Sequence, residues 1–356
     1  MIKIGFIGYG YWGPNLVRNF MEVSDAKVVA VSDLDERRLE LVKARYPTVE
    51  ITSDYRDLLS NPEIDAIVIA TPVSSHFELA SRALTAGKHV FIEKPLTETA
   101  EQGASLVAEA KKCNLLLHVD HTFVYTSAVR KIHQLVTNGE LGDLYYYDST
   151  RINLGLFRSD VDVIWDLAVH DLSIIDYIFP LKPIAVSATG VNHVSGTLAN
   201  TAYLTLFFDG NAIAHIHVNW LAPVKVRRTL IGGSQKMIVY DDLEPSEKIK
   251  VYDKGITVNG SKEALYNTMV GYRTGDMWAP QLEITEALRV EGQHFVRCIS
   301  RGETSISDGN AGVRVVRVLE AATRSMNERG RPVEIGGIPG VLRRRTVSRS
   351  FRPQAA

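Results

Sequence analysis

The sequence predicts an α/β protein of two domains: a doubly wound parallel sheet, then an α/β domain on a mostly antiparallel sheet. Three observations carry that reading. Short apolar runs alternate with helical patterns through the first third, a glycine-rich turn follows the first run, and after about residue 122 the texture changes to longer alternating strands.

Residues 2–7 read as a short buried strand running straight into Gly8-Tyr9-Gly10-Tyr11-Trp12-Gly13. This is GxGxxG in the strand-to-helix setting that cradles a dinucleotide. Gly8 permits the tight turn, Gly10 lets backbone approach a pyrophosphate, and Gly13 lets the helix pack on the strand. Tyr11 and Trp12 ride in the same turn and count among the cofactor-binding candidates. The helix over 14–22 opens with Pro14, whose missing N–H would have no intrahelical partner, and aims its first amides at the phosphates. The next strand, 27–32, ends at Asp33, where a carboxylate can accept from both ribose hydroxyls. A carboxylate there favours NAD, because it would repel the 2′-phosphate of NADP. Arg37 and Arg38, in the helix over 36–45, are the counter-signal, since either could swing onto that phosphate.

The near-continuous apolar run at 65–70 fits a strand buried on both faces. It ends at Thr71-Pro72, with His76 opening a helix over 76–86. The strand at 88–92 ends at Glu93-Lys94-Pro95, and a helix over 99–112 leads to a strand at 115–120 that ends at Asp120-His121. Open parallel sheets bind ligands outside the carboxyl ends of their strands. The glycine turn, Asp33, Thr71 and Pro72 through His76, Glu93-Lys94-Pro95 and Asp120-His121 are therefore expected along one edge, where the Lys94 ammonium can touch a substrate hydroxyl.

Beyond residue 122, strands are expected at 144–153, 185–194, 201–208, 212–219, 226–231 and 236–240, and helices over 127–138, 163–178, 280–300 and 310–328. One face of such a sheet is covered and the other is available to a partner. The domains are then 1–122 and 123–336, with a loose basic tail at 337–356. In the helix over 163–178, Asp166, His170, Ser173 and Tyr177 share one narrow face. Solvent stripes are usually built from Lys, Glu and Arg, and this one has none. Its histidine can exchange a proton with a hydroxyl, and Asp166, one turn earlier, can orient the imidazole or bind the same substrate. One His and one Asp make an incomplete metal set, so no metal is expected.

A chain of 356 residues exceeds one ordinary domain, and a net charge of −1 gives no basic surplus for nucleic acid. Cys113 and Cys298 have neither metal nor disulfide spacing and read as buried thiols. No signal peptide or membrane-length run is read, so a cytoplasmic protein is expected.

Taken in order, the glycine turn, Thr71-Pro72 with His76, Glu93-Lys94-Pro95, and Asp166-Leu167-Ala168-Val169-His170 resemble the motif set of the Gfo/Idh/MocA oxidoreductases (glucose-fructose oxidoreductase, inositol dehydrogenase and relatives), across roughly residues 1–336. The resemblance implies a Rossmann domain plus an α/β domain with a large open sheet, homodimers or homotetramers built through that sheet, and NAD(P)-linked oxidation or reduction of a sugar or polyol. It implies Lys94 as the active-site lysine, His170 as the proton-transfer residue, Asp166 as its substrate-binding companion, and a cis bond before Pro95. Many relatives carry glycines where this chain has Val163-Ile164-Trp165. With Lys225-Val226-Arg227-Arg228 and Val239-Tyr240-Asp241-Asp242, that variant is similar to members acting on nucleotide-linked sugars, including UDP-N-acetylhexosamine or hexosaminuronate 3-dehydrogenases and dTDP-ketosugar reductases.

Arg151, Arg227, Arg228 and Arg273 could meet a diphosphate by charge-assisted hydrogen bonds, Arg151 being the substrate-binding candidate; each can equally be a structural pair. The expected chemistry is hydride transfer between C3 of the sugar and the nicotinamide. His170 takes the hydroxyl proton and Lys94 holds the oxygen. The two could exchange roles, but a histidine starts near a pKa of about 6.5 and a lysine near about 10.4, so His170 is the easier base. Alternatives are a dehydrogenase of a free sugar or inositol, an NAD-using glycosidase, and a non-catalytic dinucleotide sensor; intact Lys94, Asp166 and His170 argue against the last.

Overall fold

The computed structural model describes residues 1–155, 160–194, 198–258 and 270–336, so the expected basic tail lies outside the described residues. The first sheet contains β1 (Ile2–Ile7), β2 (Ala26–Ser32), β3 (Glu50–Thr52), β4 (Ala66–Ile69), β5 (His89–Glu93) and β6 (Leu117–Asp120). All are parallel, in the order β3-β2-β1-β4-β5-β6. The order reverses between β1 and β4, and the crevice opens at that switch point. Every residue of β4 is fully buried, as its unbroken apolar run requires. Around the sheet lie α1 (Gly13–Met21), α2 (Glu36–Arg45), α3 (Tyr55–Ser60), α4 (His76–Thr85) and α5 (Ala100–Cys113). Neither β3 nor α3 was expected: three and six residues are too few to set up a period.

The second half runs α6 (Ser127–Thr137), β7 (Leu144–Leu154), a π-turn at Ile164–Ala168 leading into α7 (Val169–Ile178), then β8 (Pro183–Val191), β9 (Thr201–Phe208), β10 (Ile213–Asn219), β11 (Leu221–Gly233), β12 (Met237–Asp241) and β13 (Ile249–Tyr252). A small hairpin, β14 (Gly255–Val258) with β15 (Val270–Arg273), precedes β16 (Met277–Trp278), α8 (Ala287–Arg301), α9 (Gly309–Asn327) and β17 (Val333–Glu334). Nine of these strands form one sheet, β16-β13-β12-β11-β7-β10-β9-β8-β17, antiparallel at every join but β7–β10. Alternation decides the faces. Ala202, Leu204 and Leu206 of β9 point inward onto α7 and α9, while Tyr203, with Tyr146 and Ile213, stays exposed on the outer face.

The last two helices return to the first sheet. Phe295 of α8 sits edge-on to Phe20 and Phe91, and Val313 and Val316 of α9 join the core of Leu96 and Leu106. The opposite flank of α9, with Val315 and Leu319, belongs to the core of the second sheet. A cut at residue 122 thus assigns to the second domain two helices that also complete the first. Cys298 is buried against His294, but Cys113 is exposed at the solvent end of α5, contrary to expectation. Among the described residues no helix is long and apolar enough to cross a membrane.

Candidate active site

One cavity of about 870 Å³ runs from the carboxyl ends of the first sheet to the π-turn, α7 and β11 of the second domain. The glycine turn forms its near end. Gly8 has φ +99°, and a Cβ there would stand 2.6 Å from Ala70 O; a Cβ on Gly13 would stand 2.6 Å from Gly8 O. Only glycine fits either place. Gly10 is different: a Cβ would meet nothing nearer than Arg38 at 3.6 Å, so its backbone faces the cavity. Helix α1 starts beside it with no acidic residue in its first turn, the electrostatics a phosphate needs.

Asp33 lines the cavity, its Oδ2 accepting from Tyr9 N (2.6 Å) and its Oδ1 from Asp35 N (2.9 Å). Arg38 lies 3.4 Å from both oxygens, whereas Arg37 is turned away onto Asp35. Tyr11 is exposed at the rim. Trp12 lines the wall and donates from Nε1 to Asp120 Oδ2 (2.9 Å), closing the turn against β6. Thr71, Pro72 and Glu93 line the cavity, but His76 does not. Its buried ring lies within hydrogen-bond distance of Thr71 O (2.9 Å) and Pro95 O (3.0 Å), so it ties together the two loops that form the wall. These residues supply what a dinucleotide requires: a phosphate-sized glycine turn, a helix N-terminus and a ribose acceptor.

Lys94 stands at the middle of the cavity, and the Lys94–Pro95 peptide is cis. Its ammonium donates to Asp166 O (3.0 Å) and Oδ1 (3.4 Å). The other oxygen of Asp166 accepts from Trp220 Nε1 (3.1 Å), a residue that the sequence reading passed over. Asp166 therefore holds Lys94. It does not orient the imidazole through Nδ1, since His170 Nδ1 is buried with no partner among the described residues. The π-turn is what brings the Asp166 carbonyl and the His170 ring to the same cavity. Burial, then Lys94, Arg151, Arg227 and His121, hold the His170 pKa well below the usual histidine range, so the ring is a neutral acceptor at neutral pH.

Arg151, expected on the wall, is buried behind it, donating from Nε to Asp171 Oδ2 (2.7 Å). Arg227 lines the cavity itself and donates to Asp242 Oδ2 (3.2 Å), while Arg273 pairs with Asp253 and Arg228 is exposed. Beneath Trp12, Asp120 also accepts from Thr122, and burial, then the neighbouring Asp120, pushes the Glu291 carboxyl of α8 well above its usual range. His121, expected on the same edge, does not line the cavity; neither ring nitrogen has a partner among the described residues, and burial drives its pKa down to about 4.

Residues 2–121 match the NAD-binding Rossmann-fold model of the Gfo/Idh/MocA oxidoreductases, and residues 133–335 match that family's C-terminal α/β domain. The chain belongs to the Gfo/Idh/MocA family. It is thus an NAD(P)-dependent oxidoreductase of the sugar and inositol class, with an NAD-binding domain at its N-terminus. Among its relatives is the dTDP-3,4-didehydro-2,6-dideoxy-α-D-glucose 3-reductase of Saccharopolyspora spinosa, 35% identical over 72% of this chain and 80% of that protein. The UDP-N-acetylglucosamine 3-dehydrogenase of Acidithiobacillus ferrooxidans is 28% identical over 88% of this chain and 94% of its own. Its solved structure superposes with a TM-score of 0.76, at 25% identity, over 91% of this chain and 99% of that one. The myo-inositol 2-dehydrogenase of Thermotoga maritima is 24% identical over 92% of this chain and 97% of its own.

Proposed function

We propose that this Gfo/Idh/MocA enzyme interconverts a secondary alcohol and a ketone at C3 of a nucleotide-linked sugar, with NAD as redox partner. The observation that carries the reaction is the meeting in one cavity of the Asp166-anchored Lys94 ammonium and a neutral His170 ring whose Nδ1 has no hydrogen-bond partner among the described residues. When bound, the nicotinamide supplies the two-electron hydride exchange with the carbon. His170 takes the hydroxyl proton in the oxidation direction and returns it in reduction. Lys94 spends part of its donor capacity on Asp166 and directs the rest at the reacting oxygen, where it stabilises developing negative charge. Asp166, fixed by Trp220, sets the position of that ammonium. Two relatives that act at the 3-position of a nucleotide sugar support the substrate class.

The test is a panel of UDP- and dTDP-linked sugars, free hexoses and inositols, followed by absorbance of the reduced cofactor. Turnover is expected with a nucleotide-linked sugar; turnover restricted to free polyols would overturn the substrate class. The exposed Tyr146, Tyr203 and Ile213 on the outer sheet face support self-association through that face. Sedimentation velocity is expected to give a dimer or tetramer, and Tyr203→Glu to shift it to monomer.

A further inference from the structure

Phe123 lines the cavity beside His170, and two guanidiniums stand over its ring: Arg151 at 4.4 Å and Arg227 at 5.7 Å, with the His170 ring at 4.8 Å. Around this one side chain three buried nitrogens have no hydrogen-bond partner among the described residues, Arg151 Nη1, His170 Nδ1 and Arg227 Nε. Unsatisfied guanidinium N–H groups in a buried place are costly, and a charged acceptor is the partner that suits them best.

The charges lean the same way. Asp171 balances Arg151, and it also accepts from Tyr147 and Ser149, so it is fully engaged on the inner face. Asp242, the carboxylate on Arg227, also lies 3.8 Å from Lys248 Nζ and accepts from the Tyr240 hydroxyl. Two cations therefore face that single carboxylate. Lys94 and Asp166 balance each other. Among these pairs an excess of positive charge is left at Arg227, at the Phe123 end of the lining.

We infer that this end is an anion subsite, in which Arg227 on the wall, backed by Arg151, receives a phosphate or carboxylate carried by the sugar substrate. It rests on the hydride-transfer reading for the identity of that substrate, but its test does not need turnover. Arg227 lines the same cavity as Lys94 and His170, so an anion held there selects which sugars reach them. A neutral polyol would fill the catalytic centre and leave Arg227 unsatisfied. A diphosphate linkage and a uronate carboxylate present the same chemistry to a planar guanidinium, and the two can be told apart only by offering each.

The experiment uses enzyme saturated with NAD, so that the glycine turn and the N-terminus of α1 are already occupied. Calorimetric titration with uridine 5′-diphosphate, with D-glucuronate and with D-glucose measures the phosphate, carboxylate and neutral cases. At least one anion is expected to bind about tenfold or more tighter than glucose, and Arg227→Gln to remove that advantage while leaving glucose and NAD affinity unchanged. Arg227→Lys is expected to restore part of it. Tighter binding of the diphosphate identifies a phosphate subsite, and of glucuronate a carboxylate subsite. Failure of both anions to exceed glucose, or an advantage that survives Arg227→Gln, overturns the assignment. Absence of turnover on the sugar panel would instead count against the hydride-transfer reading, since the titration stands without it.

Discussion

At the cofactor end of the cavity the polar side chains are already occupied by the protein. Asp33 holds two backbone N–H groups and leans on Arg38, the hydroxyls of Thr71 and Ser75 bond each other, and His76 bridges two loops. At the substrate end Arg151 Nη1, His170 Nδ1 and Arg227 Nε have no partner among the described residues. The first arrangement fixes a shape that receives an invariant molecule largely through backbone and glycine surface. The second keeps donors and an acceptor unsatisfied, at some cost in stability, and so leaves them to be completed by whichever substrate brings matching groups.

If the two ends are separable in this way, His170→Ala should lower kcat by about 10²–10⁴-fold while NAD affinity stays within about twofold. Isothermal titration with NAD beside steady-state kinetics measures both; a matching loss of NAD affinity would break the comparison. The pH profile sharpens it. The His170 pKa is lowered, and only the neutral ring can accept a proton, so kcat/KM for oxidation should hold through neutrality and fall below the ordinary histidine range of about 6.5. An alkaline limb removed by Lys94→Ala alone would transfer the base role to lysine.

A smaller effect tests whether every unsatisfied group near the substrate end belongs to function. Neither ring nitrogen of His121 has a partner among the described residues, yet His121 does not line the cavity. Its pKa falls to about 4 on folding, so the unfolded chain takes up the proton first, and stability drains away as pH falls from about 6.5 toward 4. His121→Leu should therefore be nearly neutral at pH 7 and stabilising by about 2 kcal/mol near pH 5, read from urea midpoints at the two pH values. A loss at both would mean that the ring has a partner such as buried water.

The cofactor end was legible in the sequence because it is local: strand periodicity locates each strand end, and the glycine turn, Asp33 and Lys94 sit at those ends. His170 was legible from the unusual polarity of its helix face. What the sequence reading passed over depends on contacts between distant segments. Trp220 reaches Asp166 across 54 residues and Trp12 reaches Asp120 across 108, and nothing local to an indole announces its acceptor. Arg151 shows a signal misread. It shares strand parity with the buried Tyr147 and Ser149 of β7, which assigns it to the inner face with Asp171 and behind the cavity wall.

Helix α9 has one flank in the core of each sheet, and α8 supplies Phe295 and Glu291 to the ground beneath the glycine turn. During synthesis the first sheet is complete long before these helices emerge. Until they do, Phe20, Phe91 and Asp120 lack their covering, and the wall against which Trp12 closes has no floor. The dinucleotide half therefore draws part of its core from the last helices of the chain, so that its packing is complete only when they are in place.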